Sequence, residues 1–152
     1  MNPPVPQPIL QPVQGSDTNM QVVETYTVFL PSLNKTITIS PGFTTDGASI
    51  PRVFWACAGD PFSPTYVAAA VVHDGLYCAE LCTRDQADNE FLELMGEEGM
   101  SWFHRHLFYW AVRIAGGIVW NRHTPASIAD ARKYCSLTAP PQNATIESGD
   151  KP

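Results

Sequence analysis

The sequence predicts an α+β domain: an N-terminal β-hairpin and an ordered loop packed on a core of three to four helices that contains a His/Asp helical hairpin. Three observations predict it. Residues 21–40 are rich in β-branched and aromatic types, with strict alternation near their end. From Thr65 the apolar spacing turns helical. Proline, glycine and asparagine cluster between the periodic runs, where turns belong.

QVVETYTVFL (21–30) reads as one strand and KTITIS (35–40) as the next. Ile37 and Ile39 share one face, Thr36 and Thr38 the other, and PSLN supplies the turn. PGFTTDGASIPR (41–52) is bounded by prolines and carries glycines at 42 and 47, so it is an ordered loop rather than a helix. A second turn, GDPFSP, follows at 59–64. TYVAAAVVHDGLYCAE is the first helix. TRDQ at 83–86 matches a capping box, so helix two starts at Arg84 and runs to about Met95, before Gly96. Its stripe is Phe91, Leu92 and Met95, with Asp88 in line. WFHRHLFYWAVRIAGGIV is so apolar that it is expected at the centre of the core, with Trp102, Phe103, Phe108, Tyr109, Trp110 and Trp120 mostly buried and room for an interface patch among them. A short fourth helix begins near Pro125.

Composition bounds the function. With 152 residues, 44% apolar and 11% aromatic, the chain can build a core. Its formal charge, 9 − 15 = −6, disfavours nucleic acid as a partner. No stretch approaches the ~20 apolar residues of a membrane span. The first basic residue is Lys35, so a secretory leader is not expected. Eight of fourteen prolines lie in residues 1–19 and 136–152, which divides the chain into an extended arm (1–19), a domain (20–135) and a polar tail (136–152). Cys57, Cys78, Cys82 and Cys135 lack the two short-spaced pairs of a zinc site. Buried thiols or a disulfide are the remaining readings. Residues 80–98 carry seven acids and one base, residues 101–135 five bases and one acid, as for antiparallel helices that attract each other.

The chemistry-bearing stretch is AAAVVHDGLY followed by RDQADNEF. The short connection turns helix two back beside helix one, and fifteen residues place His73 and Asp88 at similar heights. A carboxylate on one imidazole nitrogen fixes the tautomer and leaves the other facing outward as a general base toward water. Tyr77, one turn on, could hydrogen-bond Asp88. Asp74 points about 100° away and could ligate a hard cation such as calcium, although no cofactor is fixed by the sequence. Asp46, Ser49 and Arg52 either shape a turn or fold over His73 to line a pocket. Ser49 lacks a Gly-x-Ser-x-Gly elbow. His104 and His106 diverge and chelate one metal poorly. His106, Tyr109 and Arg113 form a polar edge, solvated or interfacial, and His123 follows the helix end.

Over residues 68–92 this arrangement resembles the phospholipase A2 helix pair. His73, Asp74 and Tyr77 match its His-Asp-x-x-Tyr, and Asp88 with Phe91 its Asp-x-x-Phe. The resemblance implies His73, Asp88 and Tyr77 as catalytic residues and calcium or another divalent cation at Asp74. TDGASIP stands where that family has its calcium loop. Residues 35–120 are also similar to a phage-associated family of unknown function, marked by a Thr-Asp-Gly-Ala-Ser-Ile-Pro loop before a His-Asp-x-x-Tyr helix. That resemblance implies a tailed-phage origin. The expected role is a virion-associated neck, tail or capsid accessory protein, held to other phage structural proteins or to itself through residues 1–19. The alternatives are a hydrolase acting on an ester, lipid or cell-envelope bond, and a factor in the host cytoplasm that binds a host protein through helix three.

Overall fold

Alternation in the second hairpin strand fixes which face is buried. The computed structural model describes residues 5–46 and 66–140; Ser49, Arg52, Cys57 and the 59–64 turn lie outside them. Strands β3 (Tyr26–Leu30) and β4 (Lys35–Ile39) pair antiparallel, with Val28 opposite Ile37 and Tyr26 opposite Ile39. Tyr26, Val28, Leu30, Ile37 and Ile39 all face the core. Asn34 closes the turn at φ 48°, a left-handed conformation that asparagine tolerates.

The run read as one strand over 21–30 divides. β2 (Met20–Val22) joins β1 (Leu10–Pro12) and β5 (Thr44–Thr45) in a sheet of order β1-β2-β5, while β3 belongs to the other sheet. A bend with exposed Val23 and Glu24 separates the two. β6 (Cys135–Thr138) completes the second sheet as β3-β4-β6, so the expected tail contributes a strand. Residues of the expected arm also lie on the domain. Val5 is buried, Tyr26 Oη donates to the Pro6 carbonyl at 2.6 Å, and Gln7 Nε2 donates to Glu98 Oε1 at 3.1 Å. Pro12 is tolerated because β1 is an edge strand.

Four helices lie among the described residues: α1 (Val67–Cys78), α2 (Arg84–Glu97), α3 (Trp102–Trp120) and α4 (Pro125–Ala131). The Thr83–Gln86 capping box forms as read from TRDQ, and a second, Thr124–Ser127, starts α4 with Pro125 in its first turn. The centre of the core is α1, not α3. Every α1 residue from Val67 to Tyr77 is buried, whereas α3 buries only Phe108, Ala111, Val112 and Gly116. Small residues explain this. Ala68, Ala69, Ala70 and Gly75 let α1 be surrounded closely, and a Cβ at Gly75 would come to 3.0 Å from Ile39 Cδ1. Trp102, Phe103 and Trp110, expected mostly inside, are exposed. Glu98 at the end of α2 accepts the Ala69 N–H at 3.2 Å, satisfying an orphan donor in the first turn of α1.

Candidate functional site

His73 and Asp88 meet across the α1–α2 hairpin. His73 Nε2 lies 2.8 Å from Asp88 Oδ1, and both side chains are buried. The opposite oxygen, Asp88 Oδ2, accepts from Arg113 Nη1 at 2.9 Å and lies 3.8 Å from Arg84 Nε. Arg113 also pairs with Asp85, and Arg84 donates to the Arg113 carbonyl. Asp88 is thus a buried carboxylate with a cation-capable partner on each oxygen, the arrangement that makes burying a charge tolerable. The acidic α2 and basic α3 attract each other through this cluster.

Tyr77 stands elsewhere than expected. Its Oη accepts from Arg84 Nε at 3.0 Å, while its ring stacks on His73 with centroids 4.6 Å apart. Phe91 closes another side of the imidazole at 5.0 Å. Gly116 of α3 lies directly over the phenol, where a Cβ would collide with Tyr77 Oη.

The second ring nitrogen departs from the sequence reading. His73 Nδ1 is not open to water: it is buried and without a hydrogen-bond partner, 4.0 Å from Asp74 Oδ1. Asp74 Oδ2 accepts from Thr45 Oγ1 of β5. Burial works against protonating His73, but the hydrogen bond to Asp88 and the negative charge of Asp74 and Asp88 outweigh it, and its pKa is raised above the usual histidine value.

A cleft of about 290 Å³ opens at this point. Asn19, Thr44, Thr45, Asp46, His73 and Asp74 form its polar side, and Val112, Ala115, Gly116 and Val119 of α3 its apolar side. Asp46 therefore does reach the site, at an exposed position of the rim. Ser49 and Arg52 fall outside the described residues. Calcium takes six to eight oxygens. No group of three or more His, Cys, Asp or Glu side chains placed to hold a metal occurs among the described residues. The loop whose carbonyls were expected to join Asp74 around a cation lies partly outside the described residues.

The other histidines are engaged singly. His104 Nδ1 meets Ser101 Oγ at 2.7 Å, His106 Nδ1 the Trp102 carbonyl at 2.8 Å and His123 Nδ1 Glu80 Oε1 at 3.0 Å. Cys78, Cys82 and Cys135 are free thiols, and burial pushes them up to about 12, 11 and 12. Such thiols are poor nucleophiles. Arg113, Arg84 and Thr45 were not anticipated here. Arg84 is legible in hindsight, four residues before Asp88 on one helix. Arg113 was foreshadowed only by the opposite charges of the two segments.

The family profile described as "Protein of unknown function (DUF1353)" matches residues 20–112. The chain belongs to the DUF1353 family. The match spans β2 through most of α3 and includes His73, Asp74, Tyr77 and Asp88; Arg113 lies one residue beyond it. Among curated relatives, the chain is 33% identical over 78 residues to uncharacterized protein y4jT of Sinorhizobium fredii (strain NBRC 101917 / NGR234), covering 51% of this chain and 23% of that protein. It is 32% identical over 91 residues to uncharacterized protein y4iH of the same organism, covering 60% and 38%. The match thus covers well under half the length of either relative. No solved structure matches this DUF1353 chain. No helix among the described residues is long and apolar enough to cross a membrane.

Proposed function

We propose that the α1–α2 hairpin carries a hydrolytic centre in which His73 takes a proton from a water or hydroxyl held at Asp74. The observation that carries this reading is the inequality of the two ring nitrogens. Nε2 is committed to Asp88, while Nδ1 is uncommitted and lies 4.0 Å from a carboxylate that lines the cleft. That spacing exceeds a direct hydrogen bond, so Nδ1 and Asp74 are not closed on each other. Asp74 is the group that meets the cleft; a nucleophile drawn to it passes its proton inward to Nδ1 as the contact tightens with substrate. Asp88 holds the ring orientation and balances the imidazolium, and Arg113 keeps Asp88 in place. The apolar wall of α3 suits a substrate with a hydrocarbon part beside the scissile ester or cell-envelope bond. The ground for placing this activity in a virion is the resemblance of the residue 35–120 motifs to a phage-associated family, read from the sequence.

A second reading is favoured by the burial of Nδ1. In it, the cluster sets the register of the helical hairpin in a virion-associated accessory protein without turnover. One experiment separates them: the purified chain is assayed on chromogenic esters, phospholipid vesicles and cell-envelope fragments beside His73→Ala and Asp88→Asn. The hydrolytic reading expects turnover that His73→Ala abolishes and Asp88→Asn lowers by about 10²–10⁴-fold. No turnover on any substrate, or turnover indifferent to His73, leaves the register reading.

A further inference from the structure

We propose that this chain forms a two-fold dimer by packing α3 antiparallel against α3 of a second copy. A helix on a domain surface ordinarily turns polar residues outward. α3 does not. Its inner face buries Phe108, Ala111, Val112 and Gly116, while Trp102, Phe103, Trp110, Ile114 and Ile118 remain 59–77% exposed. Phe103, Leu107, Trp110, Ile114 and Ile118 follow one another at helical spacings of four, three, four and four, so they form one stripe along the helix.

Three features select a second copy as the occupant. The stripe contains no charged residue; the two arginines of α3 are turned elsewhere, Arg105 over Gly96 and Arg113 to Asp85 and Asp88. The net charge of −6 opposes docking on an anionic bilayer. The area is also sufficient. Phe103, Trp110, Ile114 and Ile118 at such exposure, with half-buried Leu107, offer about 550 Å² per copy, so a pair buries about 1,100 Å², just above the ~1,000 Å² that a specific interface needs. The stripe is self-complementary as well. Reversed about Trp110, Phe103 meets Ile118 and Leu107 meets Ile114, so bulky rings fall on aliphatic side chains and Trp110 falls on the axis. The proposed contact lies on α3 and is separate from the contact through residues 1–19 that the sequence leads one to expect.

Sedimentation of the full chain up to about 100 μM, where a micromolar dimer is largely formed, tests it. Twice the 16.7 kDa mass is expected, falling to one chain mass in Trp110→Asp and Ile114→Glu while helical circular dichroism is retained. To fix the geometry, Trp110→Cys should give a disulfide-linked dimer on mild oxidation beyond that of the parent chain. Phe103→Cys should link to Ile118→Cys in a mixture and not to itself. A chain that stays monomeric, whether or not it binds lipid vesicles, overturns the proposal. So does a dimer that survives both charge substitutions.

Discussion

Arg113 and His73 hold the same carboxylate from opposite oxygens: Nη1 of the arginine is 2.9 Å from Asp88 Oδ2, and Nε2 of the histidine 2.8 Å from Oδ1. The buried aspartate thus joins α1 to α3 through α2. Replacing Arg113 by Met removes one partner and leaves the other facing an under-compensated charge. We expect a loss of about 2–4 kcal/mol in denaturant unfolding, with a further rise in the His73 pKa on nuclear magnetic resonance titration. Arg113→Lys should recover part of both.

His73 also sets a pH dependence with a definite sign. Its folded-state pKa lies above the unfolded value of about 6.5. Its contribution to stability is fully present below that unfolded value and is lost as pH rises through the folded pKa. The melting-temperature difference between the parent chain and His73→Asn should therefore shrink from pH 6 upward. Turnover, if Nδ1 is the base, should rise over the same interval as the imidazole loses its proton. A flat difference would show that His73 titrates alike folded and unfolded.

Much of this was legible in the residues, and the failures share a cause. Caps and alternation are local, so TRDQ, Pro125 and the Ile37/Ile39 face were readable, as was the His73–Asp88 pairing from the length of the connection. The depth of α1 and α3 was not. Hydrophobicity alone pointed to the tryptophan-rich α3 as the centre, but close approach on all sides favours the alanines and glycine of α1. The site was legible along one helical hairpin and obscure where another element enters it. Thr45 arrives on β5 and Arg113 on α3, and neither placement follows from spacing within a motif.

Glu90 tests burial without catalysis. It lies fully buried on α2, accepts the Leu33 N–H at 2.7 Å through Oε1, and burial pushes its carboxyl up to about 7. The stability tied to its proton is complete below an ordinary carboxylate pKa and is lost as pH rises through about 7. Glu90→Gln keeps an acceptor for Leu33 and never ionises. It should match the parent near pH 4.5 and exceed it by about 2 kcal/mol at pH 8, read from chemical denaturation at both values.

Gly116 tests the packing over Tyr77. Alanine there should push the phenol off Arg84 and out of its stack on His73, at a cost of about 1–3 kcal/mol. Tyr77→Phe in the same chain removes the colliding oxygen. The double variant should be more stable than Gly116→Ala alone, a coupling that a double-mutant cycle measures directly.

Strand β6 pairs with β4 at Ile39–Cys135 and Thr36–Thr138, close to a hundred residues apart. During synthesis the outer edge of β4 therefore stays unsatisfied until the four described helices have left the ribosome. A nascent or truncated chain ending before Cys135 would present that open edge to its neighbours, and intermolecular strand pairing competes with correct closure for as long as the last strand is missing.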